Sequence, residues 1–422
     1  MYVKSIEAKN FKSFRNLSVE FQDFSVIIGA NAAGKSNFTQ ILKFISDVEE
    51  FGLNSAVSIQ GGIEYLKNKR AKRDERVQIS VALNDIRRRT VGTKQQGTVI
   101  IEMSGVSYQI ALGQRRGRRS VHLESSSIDH KFRLLQPIAK NSRAKQAANR
   151  QDREVTIGEG NIRLKYSSPK LNIEFEIPDE LKIEPRELFG EHWTPLIRDM
   201  YAEYPLFDLI VPFGPMFRRV KCYDFDPKLP QRASPYTGKQ TLESDGSNIA
   251  IVLKKMLDSK PRSIELMNLM RDMLPFVDRV QVKDTPDKSL IFMIKECFAG
   301  SSYLPAFLIS EGTINLTALL IALFFEPMKT VILEEPERNL HPQLIERLVG
   351  LMRDASRKRQ ILVTTHNPLL VKYAGLDNLL LVSRDSDGNS IVQQPKDQKH
   401  LTAFLKEKIG LDNLFIDGIL EL

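Results

Sequence analysis

Ser25-Val-Ile-Ile28 runs directly into Gly29-Ala-Asn-Ala-Ala-Gly-Lys-Ser36. A short, almost wholly apolar stretch of this kind suits a central strand covered on both faces. After the loop, Phe38, Ile41, Leu42 and Ile45 recur at helical spacing, so Ser36 to Glu50 reads as a helix. Strand, glycine-rich loop and helix in that order are the required setting for the G-x4-G-K-S phosphate-binding pattern. Glycines let backbone N–H groups turn inward around phosphates without Cβ clashes. The helix points its positive end at the same place. The residues expected to cradle the phosphates of ATP are therefore Gly29, Ala30, Asn31, Ala32, Ala33, Gly34, Lys35, Ser36 and Asn37. Lys35 is expected to reach the β and γ phosphates, and Ser36 to ligate Mg²⁺.

Three further stretches carry chemistry. Val331-Ile-Leu-Glu334-Glu335-Pro336 is an apolar strand ending in two carboxylates. Strand ends of open α/β sheets are where ligands bind. Glu334 is expected near the Mg²⁺ ion through a water, and Glu335 is placed to polarise an attacking water. Ile361-Leu-Val-Thr-Thr-His366 is a second apolar strand, ending in a histidine that could hydrogen-bond a γ-phosphate; alone, it reads as a capping or packing histidine. Leu308-Ile-Ser310-Glu-Gly312-Thr313 precedes an apolar helix. Ser310 and Gly312 could form an anion site at that helix start, although alone Ser310 reads as a plain N-cap.

Around these motifs the patterning changes along the chain. Tyr2 to Ala8 and Leu17 to Phe21 alternate as strands, as do Val77–Leu83, Val99–Met103 and Tyr108–Leu112. Glycines lie between or beside the last three, which suggests an antiparallel sheet with loose basic loops. Asn141 to Arg153 is polar apart from alanines and reads as a loop or short helix. From Pro178 to about Phe276 the reading is mainly helical, broken by prolines, with Ile249–Leu257 a clear helix. Val277 to Phe298 reads as a hairpin turning at Asp284–Asp287. Helix, strand, helix, strand, helix and strand follow, over 314–325, 330–333, 342–357, 360–364, 368–373 and 378–382. That alternation implies a parallel α/β sheet. The expected division is an N-terminal ATPase lobe with a basic β-rich extension (1–175), a mainly helical insertion (176–275) and a C-terminal ATPase lobe (276–422).

The bulk properties narrow the class. With 42% hydrophobic and 27% charged residues the composition is that of an ordinary soluble protein. No apolar run reaches the roughly 18 residues needed to span a bilayer, and residues 1–20 hold no apolar signal region. Cys222 and Cys297 make neither a disulfide framework nor a metal cluster. A cytoplasmic setting without membrane contact is expected. The net charge of +9 is uneven: residues 67–153 hold 21 Lys/Arg against 7 Asp/Glu. Such a field suits DNA or another polyanion, and a solvated surface segment is the equal alternative.

Taken together and in this order, the glycine-rich loop, the Ser310 loop, the Glu334-Glu335 strand end and His366 resemble the ABC-type ATPase heads of the RecF and SMC class. Within that class the similarity is to stand-alone bacterial AAA-type ATPases akin to the OLD-family ATPase domain. Asn10-Phe-Lys-Ser-Phe14 and Glu334-Glu-Pro-Glu-Arg-Asn-Leu-His341-Pro342 also belong to the likeness. The resemblance implies a P-loop α/β head with a mixed sheet, an antiparallel β subdomain and a helical insertion. It implies that Ser310 to Thr313 is a signature loop meeting ATP held by a second subunit. Glu335 would be the catalytic base, Asn339 to His341 the D-loop and His366 the switch histidine. Two heads, as a homodimer or higher homo-oligomer, would sandwich two ATP molecules. Ser-Glu-Gly-Thr in place of the transporter Ser-Gly-Gly-Gln disfavours a transporter head. Many relatives are ATPase subunits of anti-phage systems with an effector in trans, so a nuclease or toxin partner is implied. The functional expectation is an ATP-gated switch in DNA-related processes, defence or repair. The alternative is an ATP-dependent protein-assembly scaffold without nucleic-acid contact. A nuclease within the chain is disfavoured, since no metal-ligand constellation lies beyond the ATP site.

Overall fold

A computed structural model describes residues 2–72, 74–84, 87–93, 97–114, 121–137, 154–167, 170–176, 220–236, 238–395 and 411–416. The chain divides into two compact units, Met1–Phe21 with Phe44–Arg218, and Gln22–Lys43 with Arg219–Leu422.

In chain order the strands relevant to both units are β1 (Tyr2–Phe11), β2 (Phe14–Glu20), β3 (Phe24–Ile28), β4 (Val77–Asn84), β5 (Arg87–Thr93), β6 (Gly97–Gln114), β7 (Val121–Pro137), β8 (Glu154–Ser167), β9 (Lys170–Glu176) and β10 (Val220–Tyr223). They continue with β11 (Ser234–Pro235), β12 (Val277–Asp284), β13 (Ser289–Glu296), β14 (Leu304–Pro305), β15 (Thr330–Glu334), β16 (Gln360–Thr364), β17 (Leu379–Arg384) and β18 (Ser390–Gln393). The helices used below are α1 (Lys35–Phe51), α2 (Ile249–Leu257), α3 (Lys260–Met273), α4 (Glu311–Leu320), α5 (Pro342–Ser356) and α6 (Pro368–Ala374).

The first unit is built on an antiparallel sheet of order β2-β1-β4-β6-β7-β8-β9, with β5 beside β6. Its strands alternate because one face is buried. In β4, Val77, Ile79, Val81 and Leu83 are buried while the residues between them are half-buried. The two strands expected at 99–103 and 108–112 are a single strand, β6. Its register against β7 shifts between Met103 and Gly105, so a bulge absorbs the extra residue and pairing continues.

The second unit holds a six-stranded sheet of order β10-β15-β16-β3-β17-β18. The first five strands run parallel and β18 returns antiparallel to β17. Every residue of β3 and β16 is buried, and so are the first four of β15. Strands covered on both faces need continuous apolar runs, and these have them. Val26, Ile28, Val331, Leu333, Ile361 and Val363 join α2, α3, α4 and α5 in one core. Residues Thr313 to Leu320 of α4 are buried on all sides, so its sequence lacks a polar face. The helix expected to start at Ile314 starts at Glu311, because the Ser310 hydroxyl caps it by accepting from Thr313 N. Its last turn, Ile321–Phe325, is a π-helix.

Residues 177–219 of the expected helical insertion, and the polar stretch 141–153, lie outside the described residues. Where the description resumes, Val220–Tyr223 is not helical but an edge strand paired in parallel with β15. Four residues are too few to show a period, so sequence pattern does not separate strand from helix there. Ile249–Leu257 and Lys260–Met273 are helices, and β12 and β13 form the expected hairpin. Among the described residues no helix is long and apolar enough to cross a membrane.

Candidate functional site

Three neighbouring parallel strands deliver the motif residues to one edge of the sheet. β3 leads into the glycine loop, β15 ends on Glu334, and β16 leads to His366. The register aligns Glu334 with Thr364, and Thr364 with Ile27. Glu335 N donates to Thr364 O at 2.9 Å, and Thr365 N to Ile27 O at 3.0 Å. The glycine loop, both carboxylates and the histidine thus share the carboxyl edge of the sheet, where α/β folds bind ligands.

The loop has the backbone such a cradle requires. Gly29 and Gly34 adopt φ of 149° and 117°, and a Cβ on Gly29 would lie 2.1 Å from Val382 O. Neither position tolerates a side chain. Lys35 is buried, and its Nζ donates to Gly29 O at 2.8 Å and Ala30 O at 3.1 Å. Phe38 N closes the first helical turn on Gly34 O at 2.9 Å. Ser36, Ala30, Asn31 and Ala32 are exposed and Asn37 is half-buried.

Glu334 is held by groups that the sequence did not single out. Thr39, one turn beyond Ser36 on α1, donates its hydroxyl to Glu334 Oε1 at 2.9 Å, and the Cys222 thiol of β10 reaches the same oxygen at 3.5 Å. Desolvation pushes the Cys222 thiol well above its usual range, and the Glu334 charge adds to the effect. The thiol therefore remains a donor.

Glu335 sits at φ 45°, a left-handed conformation rare for a residue with a β-carbon. Its Oε1 lies 2.9 Å from His366 Nδ1, and its Oε2 accepts from Arg338 at 3.2 Å. Partial burial works to raise its pKa, but Arg338 and His366 outweigh burial, and the carboxyl lies below its ordinary value. Arg338 also pairs with Asp224 at 3.2 Å. Next along, Glu337 is buried and hydrogen-bonded by the Thr365 hydroxyl, and desolvation raises its pKa.

Gly312 abuts the loop after β15, while Ser310 caps its own helix through Thr313. A Cβ on Gly312 would lie 2.4 Å from Asn339 O, so the two backbones touch. Asn339 Nδ2 donates to Glu311 Oε2 at 2.9 Å. The buried Asn315 amide donates to Pro336 O at 3.2 Å and Arg338 O at 2.7 Å. Helix α4 therefore carries the backbone on which Arg338 stands. Asn315, Thr39 and Cys222 were not legible as site residues, because each acts through a tertiary contact and sits in no motif; Arg338 lies within the Glu334–Pro342 stretch, but its pairing with Glu335 and Asp224 shows only in the structure.

With this geometry in view, the comparisons decide the family. The model described as "AAA domain, putative AbiEii toxin, Type IV TA system" matches residues 24–372. The chain belongs to this family of AAA-type ATPases. It is also similar to the Septu protein PtuA of Bacillus thuringiensis, at 27% identity over 101 residues. That match takes in 22% of this chain and 26% of that relative, so it spans about a quarter of the relative's length. Among solved structures, an SmcHead bound to the C-winged helix domain of ScpA has 16% identity, a TM-score of 0.47 and coverage of 93% and 98% of the two chains. The SMC head domain from Thermotoga maritima has 16% identity, a TM-score of 0.39 and coverage of 93% and 99%. At these scores neither bears weight. The family match, the strand order and the phosphate loop identify the P-loop fold of an ABC-type ATPase head, with its mixed sheet and antiparallel β subdomain.

Proposed function

We propose that this chain binds Mg²⁺·ATP and hydrolyses it, and that two copies close on the nucleotide to act as a switch. The observation that carries the reading is Glu335, ionised below the ordinary carboxylate range and oriented by His366 and Arg338 beside the glycine loop. A general base needs a fixed orientation and a charged form at working pH, and Glu335 has both. Lys35 and the loop N–H groups would hold the phosphates. The Ser36 hydroxyl and Glu334, the latter through a water, would hold Mg²⁺, and these oxygen donors suit a hard cation. Bound Mg²⁺ supplies charge neutralisation on the β and γ phosphate oxygens. His366 holds Glu335 from one side and is exposed, so it can also meet a γ-phosphate. Ser310 and Gly312 would complete the site on a second copy.

The family name, with its reference to a toxin and a TA system, supports a role in defence; a nuclease or toxin effector acting in trans is part of the same reading by resemblance. The basic residues of 67–153 support DNA as what the closed state holds. The expected division into lobes 1–175 and 276–422 about an insertion at 176–275 goes with the same reading.

Turnover of Mg²⁺·ATP by the full chain, beside Glu335→Gln, tests the proposal. The variant is expected to bind ATP normally, to lose about 10²- to 10⁴-fold in kcat, and to accumulate as an ATP-bound dimer by light scattering. Hydrolysis at the wild-type rate would place the base elsewhere.

A further inference from the structure

Ala32 lies in the middle of the glycine loop at φ 62°, the left-handed region that a β-carbon disfavours. A non-glycine residue persists there only when its surroundings hold it. The hairpin of β17 and β18 does so. Arg384, the last residue of β17, donates to Ala32 O from Nη2 at 2.7 Å and from Nε at 3.2 Å. Its Nη1 donates to Gly388 O at 2.7 Å, which ties the fork to the hairpin's own turn. Ser390, at the start of β18 and fully buried, donates its hydroxyl to Ala33 O. The turn between them is closed by Asp385, which accepts from Asn389 N at 2.7 Å.

The consequence is electrostatic. A phosphate is bound by backbone N–H groups that converge, and any carbonyl turned the same way repels it. Here the carbonyls of Gly29 and Ala30 accept from Lys35, those of Ala32 and Ala33 from the hairpin, and that of Gly34 from Phe38 N. The carbonyls of Ala32 and Ala33 are thereby held toward the hairpin before any ligand arrives.

We propose that Arg384 and Ser390 are positioning residues that hold the phosphate loop in its anion-receiving conformation and so determine nucleotide affinity. The inference rests on the loop being the ATP site. A cradle organised in advance binds without the cost of ordering itself. Removing the fork from Ala32 O lets that peptide rotate and lowers affinity for whatever the cradle holds, with the chemical step untouched.

The full chain and its Arg384→Ala, Arg384→Lys and Ser390→Ala variants should be titrated with a fluorescent ATP analogue, with ADP and with inorganic tripolyphosphate as competitors. Thermal unfolding checks that each is folded. Arg384→Ala is expected to weaken ATP, ADP and tripolyphosphate alike by about tenfold or more. KM should rise and kcat at saturation stay within about threefold. Ser390→Ala should show the same pattern more weakly. Arg384→Lys, with a single ammonium in place of a fork, should recover part of the loss. Wild-type affinity in Arg384→Ala overturns the proposal. So does a loss confined to ATP and ADP with tripolyphosphate unaffected, since that would place Arg384 on the nucleoside. If the wild-type chain binds none of the three, the nucleotide reading falls with it.

Discussion

The two sheets of this protein solve opposite problems. The antiparallel sheet of the first unit buries one face, and its strands alternate over long stretches, with 18 residues in β6 and 17 in β7. The parallel sheet of the second unit is covered on both faces, and its three central strands are five residues each. Short, doubly covered strands end together at one edge, and the loops leaving that edge converge. Glu334, Glu335, His366 and the glycine loop all lie there. The first unit contributes charge instead. Its loop at 67–76 carries Lys67, Lys69, Arg70, Lys72 and Arg76, and its carboxylate Glu75 is already taken up by Arg15 in a two-point ion pair. Proposed catalysis in one unit and a run of basic residues in the other is the division of labour to test.

The hardest blow to it would come from Lys35→Ala. Removing the one cation buried in the glycine loop is expected to weaken ATP binding by about 100-fold or more, below detection in an ordinary titration. Near-normal affinity by calorimetry would mean that the second unit's edge is not the nucleotide site.

The charge of the first unit gives the next largest effect. Replacing Lys69, Arg70 and Lys72 together with alanine should leave basal ATP turnover unchanged and weaken duplex DNA binding about tenfold at low salt. The dependence of log affinity on log salt should flatten by about 2. If the wild-type chain shifts no DNA at low salt, with or without ATP, the partner of the first unit is not DNA. Capture of an acidic protein partner that survives nuclease treatment would then favour the assembly-scaffold reading.

Arg338→Ala should produce the smallest and most specific change. Glu335 has a lowered pKa in the folded chain, so its ionised form persists below the ordinary carboxylate range and is lost only as pH falls through that lowered value. Arg338 is one cause of the lowering. Its removal should move the acid limb of the kcat profile upward, by less than about one pH unit given the exposure of the pair. An unmoved limb would show that another group titrates there.

Much of this was written in local patterns. The glycine loop could be read residue by residue because phosphate binding demands particular backbone conformations at fixed spacing, and only certain residues permit them. The carboxylate pair and His366 were legible because each ends an apolar run that must be a buried strand. What escaped were contacts between distant stretches. Val220–Tyr223 has no pattern of its own, yet as an edge strand it brings Cys222 to Glu334. Asn315 looks like a polar flaw in an apolar helix until its amide is seen holding Pro336 O and Arg338 O.

The sequence by itself therefore determined the glycine-loop pattern, the central strands and the motif residues at their ends, since these follow from rules acting over a few neighbouring residues. Only the tertiary structure decided how those groups are held. Thr39 and Cys222 fix Glu334, Arg338 and His366 fix Glu335, and Arg384 and Ser390 fix the glycine loop. Apart from the Arg338–Glu335 pair, three residues apart, each is a hydrogen bond between residues distant in the chain, whose existence depends on which strands become neighbours. That order is set by burying the whole core, and no short stretch contains it.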